Sequence, residues 1–387
     1  MSVNLTTADS ALKNYYLDAI SEQLNKHTHP FLSRIMHTTE YVAGKSVNKV
    51  VIAGVNGGIG AGSEDGSLPK SSLNGYLTFK ANLKNLYGTI EISDKAIRTS
   101  QISSGAVVNL LNSEMNGLIK SGNINLSRML YGDGSGCLAK ITAIENGEIT
   151  VDTVQNVFEG MILDFYTENG SFCSEYEGRT VTYVDKANNK IKVSGYPEVQ
   201  DVVNGYVTLQ GSSCNELTGF KAIFDTTKSL YGVERSQSNV MIPYVETSAT
   251  VNFEVIQKAI DEIEEKTGNQ VDTIICSLGV RRKLLADMLS EQSNVETVEI
   301  EGGYKAILYN GIPVIADRFC PKGTMYLLNS KDFSINQLCD WEWLADDEGR
   351  ILRQVPGKPV YTATLVKYAE LICSNPSGQA MITGIEE

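Results

Sequence analysis

Residues 104–136 read SGAVVNLLNSEMNGLIKSGNINLSRMLYGDGSG, and this stretch decides the fold. Ser103 or Ser104 is placed to cap a helix start, where a side-chain oxygen satisfies an unpaired N–H of the first turn. Val107, Leu111, Met115, Leu118 and Ile119 recur at helical spacing, and Leu126, Met129 and Leu130 resume the stripe. The Gly122–Asn123 pair interrupts it, at about 1 kcal/mol for the glycine against alanine. LYGDGSG closes the segment with three glycines in five residues, a composition no helix continues through. A helix of roughly 28 residues spans roughly 42 Å, long for a compact domain. One apolar face of that length suits an elongated, plate-like molecule that lies against neighbours.

Upstream, residues 47–100 predict a β-excursion. Residues 47–55 form one strand and residues 76–83 a second, with Leu77, Phe79, Ala81 and Leu83 alternating against Thr78, Lys80 and Asn82. From Leu86 the apolar set moves to even numbers (Leu86, Ile90, Ile92), which predicts a bulge or bend near Asn85. Between the two strands, NGGIGAGSEDGSLPKSSLNG (56–75) is rich in Gly and Ser and has no aromatic residue. A loop this long is normally functional or disordered. Two strands with such a tip make a β-arm. Residues 1–46 read as an arm too, with an amphipathic helix over 11–24 whose Leu12, Tyr16, Ala19, Ile20 and Leu24 share a face that needs cover.

Downstream, six short strands are expected over 138–144, 148–151, 161–166, 180–184, 190–194 and 206–210. Asn146-Gly147, Asn169-Gly170 and Asn188-Asn189 supply turns, and the spacing suits a small barrel or sandwich. Residues 212–335 return to α/β texture. A helix over 253–266 with Asn252 as cap and Gly268 as stop precedes a buried strand at 271–276 and a helix at 279–290. Strands follow at 306–308, 313–316 and 325–328, in an order that suggests a mixed sheet covered by helices. Residues 361–373 begin with strand-like alternation.

At 387 residues, two or three subdomains are expected. No apolar run approaches the length of a membrane span, and MSVNLTTADSALKNYY has neither the basic nor the apolar region of a signal peptide. The net charge of −13 argues against tight, sequence-independent grip on nucleic acid, which needs clustered Lys and Arg. The seven cysteines are scattered without a CxxC, and their spacing predicts buried reduced thiols. The three histidines, His27, His29 and His37, lie far from any cysteine in sequence; His27 and His29 read as a solvated turn before Pro30 rather than a metal pair.

Motifs with chemical potential each have a plainer reading. Residues 54–62 lack the GxGxxG spacing and a following helix. Gly44-Lys45-Ser46 lacks the leading glycine of a phosphate loop, since Thr39 stands there. Asp133-Gly134-Ser135-Gly136 is followed by Cys137 and Leu138 where a calcium loop needs oxygen ligands, so it reads as a helix terminator. Asp346-Asp347-Glu348 reads as a solvated turn. No GxSxG, HExxH or Cys–His arrangement is present, so no catalytic, cofactor or metal residue is assigned.

A long helix closing in LYGDGSG resembles the spine helix of tailed-phage major capsid proteins with the HK97-like fold, and DWEWL…GRILRQVPGKPVYTATLVKYAEL (340–371) strongly resembles their C-terminal end. FEGMILDFY and RTVTYVDKANNKIKVSG resemble the inserted domain that some members carry. The resemblance implies an α+β fold: N-terminal arm 1–46, extended loop 47–100, peripheral domain with spine helix 101–137, inserted β-barrel-like domain 138–211, peripheral return 212–245, axial domain 246–335 and C-terminal segment 336–387. It implies a structural, non-enzymatic subunit. Copies of the chain would form hexamers and pentamers in an icosahedral shell, the virion capsid, assembled in the bacterial cytoplasm around double-stranded DNA. A separate scaffolding protein, a portal and a cement protein are the implied partners, with no cofactor and no membrane. Inter-subunit contacts are expected at Lys70, Leu77, Phe79 and Leu83 of the extended loop, at Tyr16 and Ile20 of the arm, and at Trp341 and Trp343. Some members cross-link a loop Lys to a neighbour's Asn. Lys70 lies in the loop here and Asn329 and Asn336 in the later region, but a non-cross-linked shell is expected. The alternatives are an encapsulin-type nanocompartment and, from another class, an enzyme with an unrecognised carboxylate site.

Overall fold

The computed structural model describes residues 29–95, 104–145, 147–195, 200–291, 297–300, 304–345 and 349–387. The amphipathic segment with Tyr16 and Ile20, His27, and the Asp346–Glu348 carboxylates lie outside them. The chain divides into two compact units, one built from the residues up to Ser127 and from Ile223 onward, the other from Arg128–Ala222.

The first unit holds two main sheets. A seven-stranded sheet runs in the order Tyr244–Thr247, Ala380–Thr383, Met325–Leu328, Thr273–Cys276, Ile312–Ala316, Tyr304–Tyr309, Thr297–Ile300. Its central Thr273–Cys276 strand pairs parallel with Ile312–Ala316 and antiparallel with Met325–Leu328. All four of its residues are buried, as a strand covered on both faces requires. Two helices bury their apolar stripes in the same core: Ile256, Ala259 and Ile263 from Phe253–Thr267, and Val280, Leu284 and Met288 from Leu278–Glu291. Asn252 caps the first of these, its side chain accepting from Val255 N at 2.9 Å, and Gly268 ends it in the left-handed conformation.

The second sheet is organised around the 14-residue strand Val360–Cys373. Phe333–Trp343 lies antiparallel to it, and so does Lys84–Ser93, in register from Val360↔Ser93 to Ala369↔Lys84. The chain breaks between Gly75–Asn82 and Lys84–Ser93 at Leu83, and the buried residues move to Leu86, Ile90 and Ile92. The bend that the shifted apolar parity predicts is therefore present, and it hands the chain from one sheet to another.

The long helix is Ser104–Met129 and runs unbroken through Gly122 and Asn123, contrary to the interruption expected there. Burial of Met115, Ile119, Leu126 and Met129 outweighs the propensity cost of one glycine. Leu118 packs so close to the neighbouring strand that a Cβ at Gly88 would lie 2.7 Å from its Cδ1.

The second unit is a closed barrel in the order Lys190–Val193, Glu148–Val151, Cys137–Glu145, Tyr206–Leu209, Ile162–Tyr166, Arg179–Asp185. Ile141, Ile149, Leu163, Phe165, Ile191 and Val207 fill it. The barrel's Asp164 is buried and satisfied: its two oxygens accept from Gly178 N at 3.0 Å and Gly211 N at 2.8 Å. Within this unit the chain's entry and exit are tied. Phe220 N donates to Leu130 O at 2.7 Å and Cys214 N to Ser135 O at 2.9 Å. Gly136, at φ +77°, brings the chain so near Ser212 that a Cβ would lie 2.4 Å from its carbonyl oxygen. Asp133 pairs with Lys221 at 2.8 Å and accepts from Ser135 N at 3.1 Å, which is how LYGDGSG stops the helix.

Two sequence expectations need correction. His29 is not a solvated turn residue: it is buried, its Nδ1 accepting from Phe31 N at 3.1 Å and its Nε2 paired with Asp317. Of the seven cysteines, Cys276, Cys320 and Cys373 are buried, but Cys137, Cys173 and Cys339 are half-buried and Cys214 is exposed. Cys173 and Cys214 lie in connecting segments, Cys137 opens its strand, and Cys339 sits where the register of Phe333–Trp343 shifts, so the core does not fully cover them.

A candidate assembly surface

The strands Ser46–Gly54 and Gly75–Asn82 pair antiparallel, with Val42–Ala43 beside the first. Their β-branched run Val50-Val51-Ile52 favours extended backbone. The register places Val51 opposite Leu77 and Lys49 opposite Phe79 on one face, and Ile52 opposite Tyr76 and Val50 opposite Thr78 on the other.

The first face is anchored. Val47, Val51 and Phe79 are buried, Phe79 completely, and its ring centre lies 5.4 Å from that of Tyr231. Tyr231 accepts from Lys80 N at 2.8 Å through its carbonyl oxygen. Its hydroxyl donates to Leu371 O at 3.0 Å and accepts from Cys373 N at 3.1 Å. One side chain therefore fastens the root of the arm to the long C-terminal strand. Complete burial pushes the Tyr231 phenol well above its ordinary pKa, so it stays a neutral donor.

The opposite face is bare. Ile52 is 64% exposed, and Val50 and Tyr76 are 60% exposed each. Beyond them the connection 55–74 carries Val55, Ile59, Leu68 and Leu73, each close to nine-tenths exposed. Single exposed apolar residues are ordinary, but a contiguous set on a projecting hairpin marks an interaction surface.

The sequence-predicted contacts separate into two groups. Lys70 is exposed in the tip, and Leu77 and Leu83 are half-buried. Phe79, Trp341 and Trp343 are buried within the chain, so they are core residues and not available to a neighbour. Trp341 sits in the second sheet, 5.9 Å from Lys367 Nζ, which also pairs with Asp340 at 2.8 Å. Asn336 is fully buried, so its amide is not presented to a lysine of another chain, while Asn329 is half-buried and caps a turn by accepting from Lys331 N at 3.1 Å. Val50, Ile52 and Tyr76 were missed. Their signal was legible: three consecutive apolar residues in a strand put apolar groups on both faces.

A cleft of about 680 Å³ beside the long helix is lined by His29, Lys120, Asn123, Asp317, Arg318 and Phe319, and its imidazole is already committed to Asp317 and Phe31. Among the described residues no group of three or more His, Cys, Asp or Glu side chains could hold a metal ion. No helix among the described residues is long and apolar enough to cross a membrane.

No protein-family model matches the sequence, and no curated protein does. Solved structures do. The capsid asymmetric unit of cyanophage A-1(L) superposes with a TM-score of 0.55 at 11% identity, over 95% of this chain and 92% of that one. The fold is the HK97-like capsid fold. The holo-SrpI encapsulin complex of Synechococcus elongatus PCC 7942 gives 0.49 at 10% identity, over 93% and 89%. The satellite phage P4 procapsid including size determination protein gives 0.43 at 11% identity, over 96% and 98%.

Proposed function

We propose that this chain is the shell-forming subunit of a tailed-phage head. One observation carries the reading. An HK97-like fold presents a hairpin whose inner face is locked to its own core, whose outer face bares Val50, Ile52 and Tyr76, and whose Gly- and Ser-rich tip bares Ile59, Leu68 and Leu73. Such a hairpin is a rigid lever with an adhesive surface, and its partner is a second copy of the chain. Each contact can be weak, because closure of a shell multiplies it. The barrel Arg128–Ala222 is a domain inserted into the capsid fold, and the region containing Phe253–Thr267 and the seven-stranded sheet is the axial domain around the five-fold and six-fold axes. The net charge of −13 fits a wall that encloses DNA without gripping it. A scaffolding protein, a portal and a cement protein complete the expected set of partners.

Deletion of residues 57–73 tests the reading. The shortened chain retains Phe79 and Tyr231 and is expected to stay soluble and folded, with an unchanged far-ultraviolet circular dichroism spectrum, while light scattering shows a large loss of assembled particles. Assembly at unchanged yield would show that the hairpin is not an assembly element. The contents of purified shells, double-stranded DNA or protein, separate a phage head from an encapsulin-type compartment.

A further inference from the structure

The described part of the chain begins at His29, and that residue is a fixed point. It is buried, its Nε2 paired with Asp317 and its Nδ1 accepting from Phe31 N at 3.1 Å. It also forms part of the wall of the 680 Å³ cleft. The other walls come from the long helix Ser104–Met129, from the end of strand Ile312–Ala316 with the residues after it, and from Leu278. The lining divides into two kinds. Ile119 and Phe319 are buried apolar wall, Ile124 is half-buried, and Leu278 is 49% exposed. Lys120 and Arg318 are exposed and bring positive charge.

Residues 1–28 precede the fixed point. Within them 11–24, ALKNYYLDAISEQL, set Leu12, Tyr16, Ala19, Ile20 and Leu24 on one helical face. As a helix the segment would be about 21 Å long, too short to be stable in water without a surface that covers its apolar face. Only residues 25–28 stand between Leu24 and His29. Five Cα steps of at most about 3.6 Å hold Leu24 within about 18 Å of the cleft wall. So short a tether holds the segment over its own cleft at a millimolar effective concentration, whereas the cleft of a second copy must first come within that radius. Charge agrees with this placement. Lys13 against Asp18 and Glu22 leaves the segment at −1, opposite in sign to Lys120 and Arg318.

We propose that residues 11–24 dock as an amphipathic helix in the cleft of their own chain, with the face of Leu12, Tyr16 and Ile20 against Ile119, Ile124 and Leu278. The segment is then a strap on its own subunit, and Tyr16 and Ile20 are spent within the chain instead of on a neighbour. The inference concerns the single chain, so its failure leaves the shell reading untouched.

Cysteine pairing in the unassembled full-length chain tests it, with the exposed Cys214 replaced by Cys214→Ser. Leu278→Cys is combined with Ile20→Cys, and separately with Glu22→Cys, which lies about 200° around the helix from Ile20. Equal amounts of isotope-labelled and unlabelled chain are mixed and mildly oxidised, and the joined peptides are read by mass spectrometry. The Ile20→Cys pair is expected to link at least tenfold more than the Glu22→Cys pair, with both peptides of each link carrying the same isotope. Equal linkage from the two pairs, or none from the Ile20→Cys pair, overturns the proposal. Links that join labelled to unlabelled peptides overturn it too, since the segment then docks on a second copy. Should Leu278→Cys fail to fold, Lys120→Cys on the long helix replaces it, and the same outcomes decide.

Discussion

Arg128 and Glu216 form a two-point ion pair inside the barrel unit, Nη1 donating to Oε2 at 2.8 Å and Nη2 to Oε1. Arg128 is 5% exposed and Glu216 2%, and 88 residues separate them in sequence. One stands where the chain enters the unit and the other just before it leaves, so the pair closes the barrel's neck. The planar guanidinium matches a carboxylate at two points, a geometry that lysine cannot reproduce.

Removal of one partner leaves the other charge buried and uncompensated. Arg128→Ala is expected to cost about 3–5 kcal/mol, read from urea unfolding. Arg128→Met combined with Glu216→Leu is expected to recover most of that loss, because an apolar pair of similar volume avoids the desolvation cost. Equal destabilisation in the single and double variants would mean that the pair does more than neutralise itself.

The two faces of the hairpin give opposite expectations. Phe79→Ala empties a fully buried ring site against Tyr231 and is expected to lower the stability of the isolated chain by about 3–5 kcal/mol. Val50→Ser with Ile52→Ser changes exposed residues and is expected to leave stability within about 0.5 kcal/mol while sharply reducing particle yield in light scattering. If both variants assemble normally once folded, the bare face has another use.

Asp133 sets an acid limit on the turn that ends the long helix Ser104–Met129. Burial alone would raise its carboxyl, but the bonds and charge of Lys221 and the bonds of Ser135 overcome this and hold it down at about 2. The folded value lies below the unfolded 3.8, so this stabilisation is present above about pH 4 and is lost as pH falls towards 2. After solvent screening it amounts to about 1–2 kcal/mol. In acid titration of stability, the gap between wild type and Asp133→Asn is expected to shrink as pH falls from 4 to 2; a gap that stays constant over that range would contradict the assignment.

Much of this fold was legible where physics is local. The barrel strands show plain alternation and are bounded by Asn and Gly turns, and Gly147, Gly170 and Asn189 do adopt positive φ. Asn252 and Gly268 announce their helix by capping chemistry alone. Long-range pairing was not legible. Nothing in HTHP suggests that His29 meets Asp317, and nothing near Asp332 suggests that Asn269 and Gln379 converge on it. Phe79, Trp341 and Trp343 were read as contacts between subunits because large anchors suit either a core or an interface, and only tertiary packing decides which. The Gly122–Asn123 pair shows the same limit, since tertiary burial overrode a weak local preference.

Electron microscopy of the purified chain, alone and co-expressed with a candidate scaffolding protein, addresses the central claim most directly. The account predicts closed, uniform shells built of hexamers and pentamers, with the hairpin of one subunit lying on its neighbour. A chain that stays monodisperse and monomeric under both conditions would contradict it.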